Sequence, residues 1–423
     1  MKKPFERFDM AREPIRTRWY LKPLTWLLSA PAWISHRNKI HYHGTEHLQP
    51  PFILLCNHNA FMDFKVATRI IYPRRANYVV AIDGFIGREW LLRNVGCICK
   101  RKFTPDSVLV RQLRRVLDNG DIAVVYPEAR YSLCGTTAVL PASLGKLCKL
   151  FKVPVATLIC HGHHVNSPFW NLRDRGIAPT EADYSLMFTP EDLERLSVNE
   201  INARLVEAFQ YDDFAWLREK QIPMKGGRRA EGLHKVLYQC PECGTEFEMS
   251  SEGDILRCNH CGKAWEMSEF GVLKAVEGPT RFSHVPDWYE WERANVRQEV
   301  AGGRYSSGLL PVHIDTLPNA RRYIRLGQGT LLHDSEGFHV RGTDVDGDPI
   351  SADWPVPSLY SCHIEYEYLG KYGDCVDLNT LEDAWYIYPE AGPFSVTKMA
   401  LATEELYFAY RRGIGKPCPP GLA

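Results

Sequence analysis

The sequence predicts an α/β domain on a central, mostly parallel sheet, then a small cysteine-rich domain and a mostly-β C-terminal domain closed by a helix. Three observations predict this order. Short, unbroken apolar runs alternate with amphipathic helical segments in the first half of the chain. Paired cysteines stand near the middle, and short strand-like runs separated by Gly, Asp and Pro turns follow from Arg322 onward.

The bulk composition limits the class of protein. A length of 423 residues is consistent with about two to four domains. Lys and Arg number 51 and Asp and Glu number 51, so no global basic field argues for nucleic acid as a partner. No apolar run is long enough to span a bilayer. The 13 cysteines are odd in number, and without a signal peptide we expect reduced thiols and a cytoplasmic protein.

Residues 1–36 form a segment that we interpret as membrane-interfacial. Residues 19–34 combine leucines with Trp19, Tyr20, Trp26 and Trp33, and arginines stand close by. Aromatic, leucine-rich and basic residues together are typical of a segment that lies in the membrane interface. A buried helix that covers the following domain is the alternative.

The central stretch of the first domain is residues 51–63, which read Pro-Phe-Ile-Leu-Leu-Cys-Asn-His-Asn-Ala-Phe-Met-Asp. Residues 52–56 predict a strand buried on both faces, and residues 61–71 carry apolar residues at helical spacing. His58 therefore lies in the strand-to-helix turn, and Asp63 follows a little over one helical turn later. A histidine can take a hydroxyl proton while a carboxylate fixes its tautomer. The alternative is a capping Asn-His pair beside a surface aspartate.

The Asn-His-x4-Asp pattern after an apolar strand resembles the first motif of the glycerolipid acyltransferases, the family that contains 1-acyl-glycerol-3-phosphate acyltransferase. Further matches extend over residues 40–162 in the order of that family. The resemblance implies that His58 is the general base of an acyl transfer and that Asp63 orients it.

Residues 96–99 predict a strand that ends in three cations, Lys100, Arg101 and Lys102. This resembles the family's second motif, a Gly-x-Ile run ending in an arginine that meets the substrate phosphate. Consecutive cations can hold a phosphate by charge-assisted hydrogen bonds. The family's Asp-Arg ending is replaced here, so the choice between Arg101 and Lys102 stays open, and a solvated basic turn is the alternative.

The stretch Pro-Glu-Ala-Arg-Tyr-Ser follows a second buried strand and resembles the family's third motif, Pro-Glu-Gly-Thr-Arg-Ser. Pro127, Glu128 and Ser132 match, whereas Arg130 comes one position early. The resemblance implies that Glu128 partners the glycerol hydroxyl of the acceptor and that Arg130 shares a phosphate clamp with residues 100–102. A surface or helix-capping carboxylate is the alternative for Glu128.

Residues 153–156, Val-Pro-Val-Ala, resemble the fourth motif, a strand that lines the substrate cleft. The histidines that follow, His161, His163 and His164, show no metal-ligand pattern, so we interpret them as solvated or structural.

Other elements of the first domain follow from their own patterns. Residues 40–44 alternate and predict an edge strand beside the central one. Residues 104–119 predict an amphipathic helix capped by Thr104, and residues 189–216 predict helices that begin at a Thr189 cap.

Two Cys-x-x-Cys pairs, Cys240 with Cys243 and Cys258 with Cys261, predict a zinc ribbon. Four thiolates close a tetrahedral site, so the zinc is structural rather than catalytic. A disulfide pair is the alternative.

The strands that follow, closed by a helix over residues 395–411, resemble a pleckstrin-homology or GRAM-like barrel in topology only, and function does not follow from that likeness. We therefore predict an interfacial segment, an acyltransferase domain, a linker, a zinc ribbon and a mostly-β domain at residues 1–36, 37–221, 222–236, 237–275 and 286–423.

The function that we predict is transfer of a fatty acyl group from acyl-CoA or acyl-carrier protein to a glycerophosphate hydroxyl in phospholipid biosynthesis. Its partners are a lysophospholipid or glycerol-phosphate acceptor, the acyl donor and a membrane, on whose inner face the protein is peripheral. The alternative is a non-catalytic membrane-surface scaffold on a degenerate acyltransferase fold. The altered third motif favours the scaffold, and the presence of both His58 and Asp63 opposes it.

Overall fold

A computed structural model describes residues 6–368 and 373–415. In chain order, the elements of the first half are α1 (Leu21–Ser35), β1 (Lys39–His43), β2 (Phe52–Cys56), α2 (Met62–Ile71), β3 (Ala76–Ala81), α3 (Glu89–Asn94), β4 (Cys97–Lys100), α4 (Ser107–Asp118), β5 (Ile122–Val125), α5 (Leu144–Phe151), β6 (Val155–His161), α6 (His163–Asn166), β7 (Glu181–Phe188), α7 (Pro190–Arg195), α8 (Val198–Ala208) and α9 (Asp213–Glu219).

The seven strands form one sheet in the order β1-β7-β6-β2-β5-β3-β4. Strands β6, β2, β5, β3 and β4 run parallel, whereas β7 is antiparallel to β6 and β1 is parallel to β7. The predicted mostly parallel α/β sheet is confirmed. Strand β1 does lie at the sheet edge, but it pairs with β7 rather than with the central strand. Because β2 is fourth of seven, the turn after it opens at the middle of the carboxyl edge, where open α/β sheets bind ligands.

Strand β2 is buried on both faces, as its unbroken apolar run predicts. Leu54 packs in one core together with Val66 of α2. Ile53 packs in a second core, on the other face, together with Leu113 of α4. Since side chains alternate along a strand, an uninterrupted apolar run can fill both cores only when helices cover both faces of the sheet.

One helical prediction needs correction and a second is confirmed. The cap of α4 is Asp106 rather than Thr104, because the Asp106 carboxylate accepts hydrogen bonds from the backbone amides of Val108 and Leu109. The segment from Thr189 contains three short helices, each of which begins at its own side-chain cap: Thr189 for α7, Ser197 for α8 and Asp212 for α9.

Helix α1 packs one side on α2 and leaves the other exposed. The Trp26 ring lies 5.5 Å from the Tyr72 ring, and the Arg69 guanidinium lies 4.7 Å from the Trp33 ring. By contrast, Leu27, Leu28 and Ile34 of α1 are 59%, 70% and 60% exposed, and Trp19, just before the helix, is 72% exposed. Within the described ranges, no helix combines the length and the apolar character needed to cross a bilayer.

The second half begins with a four-stranded antiparallel ribbon, β8 (Met249–Glu252), β9 (Ile255–Cys258), β10 (Ala264–Met267) and β11 (Leu273–Ala275). The C-terminal module follows, with α10 (Val285–Ala301), β12 (Leu310–Thr316), β13 (Ile324–Asp334), β14 (Gly337–Asp344), β15 (Pro349–Pro355), β16 (His363–Glu365), β17 (Cys375–Asn379), β18 (Ala384–Pro389) and α11 (Val396–Gly413).

The strands of the C-terminal module form an antiparallel half-barrel in the order β15-β14-β13-β12-β18-β17-β16, closed by α11. The apolar patterns predict strand runs at residues 323–326, 330–333, 338–341, 360–368, 375–378 and 385–388. These runs leave out β12 and β15, and the first two of them form one strand, β13. Gly327 and Gly329 interrupt its apolar pattern. A Cβ at either position would lie 2.1 Å from a backbone oxygen of β14, so the close approach of the two strands requires glycine there.

One hydrophobic core joins the domain of the seven-stranded, mostly parallel sheet, the ribbon and the C-terminal module. It contains Phe214 of α9, Trp265 of the ribbon, Trp288 of α10 and Leu401 of α11. The Trp265 and Trp288 rings are 4.9 Å apart. The predicted linker contributes to the same core through four buried side chains: Ile222, Met224, Ala230 and Leu233. The three regions therefore share their packing instead of standing apart on flexible joints.

Candidate active site and metal centre

The turn after β2 is held in place by hydrogen bonds across the sheet edge. The Asn57 side chain donates to the carbonyl of Cys160 at 2.9 Å and accepts from the Cys160 amide at 2.8 Å. This reciprocal pair ties the end of β2 to the neighbouring strand β6. His58, the next residue, therefore starts from a fixed backbone at the centre of the carboxyl edge.

His58 and Asp63 lie together, as their spacing predicts. Nδ1 of His58 is 3.7 Å from Oδ2 of Asp63, which is within ion-pair range and longer than a hydrogen bond. The Asp63 side chain is fully buried, whereas that of His58 is 25% exposed. Oδ2 of Asp63 accepts hydrogen bonds from the amides of Asn59 and Ala60, at 2.6 and 2.9 Å, so the carboxylate is fixed by its own turn.

A second histidine contacts the same carboxylate. Nδ1 of His163, at the start of α6, lies 2.5 Å from Oδ1 of Asp63, and both side chains are fully buried. Burial favours the neutral acid, but the neighbouring His163 and His58 imidazoles outweigh it and lower the pKa of Asp63 to about 2.

The sequence interpretation missed this role, because it treated His163 as solvated or structural. The order of the strands in the sheet is the feature that could have revealed this contact. His163 follows β6 as His58 follows β2, and these two strands are parallel neighbours.

The ring of His58 is covered by tyrosines. Its centroid lies 4.4 Å from that of Tyr126 and 4.3 Å from that of Tyr131. The Tyr131 ring contacts Phe169, which contacts Tyr366 of the C-terminal module at 5.5 Å. The C-terminal module is thus connected to the His58 site through a continuous aromatic contact path.

Glu128 of the third motif is hydrogen-bonded to the turn that contains His58. Its carboxylate accepts from the His58 amide at 2.9 Å and from the Ala138 amide at 2.8 Å, and the Tyr211 hydroxyl lies at 3.3 Å. Burial raises the pKa of Glu128 to about 8 although both amides act to lower it. Both carboxylate oxygens are bound to protein, so the structure gives Glu128 a positioning contact with His58, and its predicted contact with an acceptor hydroxyl stays a prediction.

Arg130 binds a carboxylate of the C-terminal module. Its Nη2 donates to Oε1 of Glu404 on α11 at 2.6 Å, and both side chains are buried. Arg293 of α10 and the Ser361 hydroxyl complete the hydrogen bonds to that carboxylate, each at 2.7 Å. The early position of the arginine in the third motif thus directs it towards the C-terminal module.

The three cations at the end of β4, Lys100 to Lys102, also have protein acceptors. Lys100 donates to the carbonyl of Thr104 at 2.8 Å, and Arg101 donates to the carbonyl of Leu381 at 2.9 Å. Lys102 lies among three carboxylates, at 3.2 Å from Asp83, 3.5 Å from Asp377 and 4.0 Å from Glu365. The sequence predicts one clamp for these cations and Arg130; in the structure, two of the four are paired with carboxylates.

The four ribbon cysteines come together with the geometry of a metal centre. The Sγ atoms of Cys240 and Cys261 are 3.7 Å apart, those of Cys243 and Cys258 are 3.8 Å apart, and all four lie within 4.8 Å of one another. A tetrahedron with Zn–S bonds of about 2.3 Å has S···S edges of about 3.8 Å, whereas a disulfide needs about 2.0 Å. The donor set therefore fits a tetrahedral zinc ion.

The fold and the His58–Asp63 pair define the first domain as an α/β domain with a histidine–carboxylate pair at the carboxyl edge of its sheet. Residues 39–161 match the family model described as Acyltransferase, so this part of the chain is an acyltransferase-family domain. Residues 233–263 match the zinc-ribbon model described as DNA directed RNA polymerase, 7 kDa subunit, which confirms the ribbon.

The structure is also similar to the crystal structure of the 1-acyl-sn-glycerophosphate (LPA) acyltransferase PlsC from Thermotoga maritima. The similarity extends over 45% of this chain and 79% of that chain, with 17% sequence identity and a TM-score of 0.35. Among the curated proteins, none matches the chain.

We expect about one zinc ion per chain by elemental analysis. Chelation should lower the thermal midpoint of the whole chain by about 5 °C or more, because metal binding stabilises the folded ribbon and the ribbon shares its core with the other regions. The sequence alone predicts a narrower effect, confined to the ribbon. Cys148→Ser is the control for the metal analysis: this variant lacks one cysteine, but that thiol is buried outside the ribbon, so its zinc content should equal that of the wild type. A metal-free protein with four free ribbon thiols and an unchanged midpoint would contradict the prediction.

Proposed function

We propose that the first domain transfers a fatty acyl group from a thioester donor, acyl-CoA or acyl-carrier protein, to the hydroxyl of a glycerophosphate acceptor of the 1-acyl-glycerol-3-phosphate type. The observation that carries this proposal is the His58–Asp63 pair in the turn after the central parallel strand of an acyltransferase-family domain. Such a step would belong to phospholipid biosynthesis.

The proposed chemistry is direct transfer. Because Nδ1 of His58 faces Asp63, Nε2 is the atom that removes the proton from the acceptor hydroxyl. The acceptor oxygen then attacks the thioester carbonyl, an ester bond forms, and the C–S bond breaks. The departing thiolate takes the proton back from the imidazolium. Asp63 stabilises the imidazolium in between, and no acyl-enzyme is required.

We assign phosphate recognition to the cations of the second and third motifs, and these four cations are not equal. Lys100 and Arg101 donate to neutral oxygens, whereas Lys102 and Arg130 donate to carboxylates. A cation that leaves a neutral oxygen to bind a phosphate loses less free energy than a cation that must first leave a buried carboxylate. Lys100 and Arg101 are therefore the first candidates to hold the acceptor phosphate.

A non-catalytic scaffold is the second candidate, and one observation favours it. The carboxylates of Glu404, Glu365 and Asp377 in the C-terminal module bind the cations Arg130 and Lys102 that the catalytic interpretation assigns to the substrate. In a scaffold, these ion pairs would hold the modules together permanently and no acceptor would displace them.

An acyl-transfer assay separates the two candidates. Purified full-length protein is incubated with radiolabelled acyl-CoA or acyl-carrier protein and, in turn, glycerol-3-phosphate, 1-acyl-glycerol-3-phosphate, lysophosphatidylcholine and glycerol. Product that forms with the phosphate-bearing acceptors only supports the proposal. No product with any pair of donor and acceptor, in a protein with normal zinc content and a cooperative melt, would favour the scaffold.

We further propose peripheral attachment to the inner face of a membrane through the exposed side of α1. Leu27 and Leu28 are more than half exposed there, whereas Trp26 and Trp33 contact α2. A soluble helix gains nothing from exposed leucines, but they can insert into the acyl boundary of a lipid surface. The exposed leucines are therefore better test positions than the tryptophans.

Replacing Leu27 and Leu28 with serine should weaken partition onto anionic vesicles by about tenfold or more, because each buried leucine contributes about 1.5–3 kcal/mol. Sedimentation with vesicles of mixed phosphatidylglycerol and phosphatidylcholine measures the effect. Leu172→Ser is the matched control, since this leucine is 72% exposed and outside α1. Equal sedimentation of the double variant, the control and the wild type would rule out attachment through α1.

A further inference from the structure

The closest contact of the Asp63 side chain with a side chain comes from His163, not from His58. The Nδ1–Oδ1 distance to His163 is 2.5 Å, and the Nδ1–Oδ2 distance to His58 is 3.7 Å. Each carboxylate oxygen therefore faces a different imidazole. The backbone N–H groups of Gly162 and His164 flank His163 and donate to Asp213 at 3.1 and 2.8 Å, so the start of α6 is fixed.

The surroundings of His163 determine which ring nitrogen carries the hydrogen. Within the described residues, Nε2 of His163 is buried and has no hydrogen-bond partner. A charged imidazolium would leave a buried N–H unsatisfied at Nε2, so the neutral ring with its hydrogen on Nδ1 is favoured. In that tautomer, Nδ1 donates to Asp63 and the carboxylate stays ionised.

A metal ion is a weaker explanation of the same contact. The Cys160 thiol also lies within 4.8 Å of the Asp63 and His163 ligand atoms. Two ligands of one zinc ion, with bonds of about 2.0 Å, stand about 3 Å apart or more. The 2.5 Å separation of His163 and Asp63 therefore fits a shared proton better than a shared metal.

We propose that His163 is a positioning residue for the proposed acyl transfer. Its Nδ1–H group orients the Asp63 carboxylate and offsets part of the carboxylate charge. The contact thereby sets how strongly Asp63 stabilises the His58 imidazolium. The inference rests on the proposed function for its catalytic meaning only. The contact itself makes a physical prediction that does not need a substrate. Removal of the His163 donor leaves more negative charge facing His58, so His58 should hold its proton to higher pH.

Other titratable groups also interact with the Asp63 carboxylate and limit how far the His58 titration midpoint can move. Those that interact electrostatically with Asp63 come from β2, β6, α6 and the loops after β5 and α8, and they are Cys56, Cys160, His164, Tyr126, Glu128, Tyr131 and Tyr211. Asp213 also faces His163. The variants below change none of these groups except His164, which serves as the control.

The test is a titration of the full-length protein labelled with ¹⁵N-histidine and followed by nuclear magnetic resonance. The His58 signal is assigned by its loss in His58→Asn. In His163→Phe, the His58 titration midpoint should rise by about one pH unit. His163→Asn, which keeps a donor near the position of Nδ1, should return the midpoint towards the wild-type value. His164→Phe is the matched control: His164 is also fully buried, and burial lowers its pKa to about 3, so its replacement removes no charge near neutral pH and should leave the midpoint unchanged.

The unmodified protein gives a second measurement that does not depend on how the variants fold. The ¹⁵N shifts of His163 should report a ring with its hydrogen on Nδ1 and none on Nε2. A ring protonated on Nε2, an unchanged His58 midpoint in His163→Phe, or an equal rise in His164→Phe would each overturn the inference. A shifted midpoint in a protein without acyl transfer would remove the proposed function and leave the contact standing.

Discussion

His58→Ala should lower acyl transfer by about 100- to 10,000-fold, because that is the range lost when a general base is removed. The fold should survive. The side chain is partly exposed, and the backbone amide and carbonyl of His58, which bind Glu128 and Ser132, remain in the variant. The measurement is kcat with saturating donor and acceptor, together with the thermal midpoint and the zinc content of the same preparation.

The matched control is His47→Ala, which removes an exposed histidine from the segment that leads into β2. We expect its kcat to stay at the wild-type value. Asp63→Asn should also lower kcat, because it removes the negative charge that stabilises the His58 imidazolium and it disturbs the contact with His163. Unchanged turnover in His58→Ala would contradict the proposed mechanism, and an equal loss in His47→Ala would trace the effect to stability.

The parts of this fold that the sequence predicts correctly are those set by local patterns. An apolar run predicts β2 because both faces of that strand are covered, and helical spacing predicts α2 and α4. The turn that contains His58 follows from the junction of one strand and one helix. The four ribbon cysteines follow from two local pairs.

The parts that were missed depend on contacts between distant segments. His163 and Asp63 are a hundred positions apart, and only the pairing of β6 with β2 brings them together. The partner of Arg130 is Glu404 on α11, which Arg293 of α10 also binds, and no pattern near the third motif can indicate either contact. Strand β13 was split because glycines required by the neighbouring strand interrupt its apolar pattern.

Glu404→Leu should destabilise the protein by about 3–5 kcal/mol, because it leaves buried guanidinium groups without their carboxylate. Arg130 would lose its Glu404 partner, and Arg293 would keep only longer pairs, at 3.2 Å to Glu290 and 3.6 Å to Glu405. Burial favours neutral Glu404, but the guanidinium groups of Arg130 and Arg293 outweigh it and lower the pKa of Glu404, so the ion pairs are intact at neutral pH. Urea unfolding followed by tryptophan fluorescence measures the change.

A double-mutant cycle with Arg130→Met isolates the pair. If Arg130 and Glu404 stabilise each other, Arg130→Met/Glu404→Leu should be less destabilised than the sum of the single variants by about 1–3 kcal/mol. Glu382→Leu is the control, since its ion pair with Arg7 is exposed and should contribute about 1 kcal/mol or less. Additive effects of the two substitutions would contradict the coupling.

The same variants decide whether Arg130 also meets the substrate. An arginine that only docks α11 should change stability and leave the Michaelis constant for the acceptor unchanged. An arginine that leaves Glu404 to bind phosphate behaves differently: Arg130→Met should raise that constant, and Glu404→Leu should lower it by freeing the guanidinium. Since the ion pair is buried and completed by Arg293 and Ser361, we expect the first outcome, with acceptor recognition left to Lys100 and Arg101.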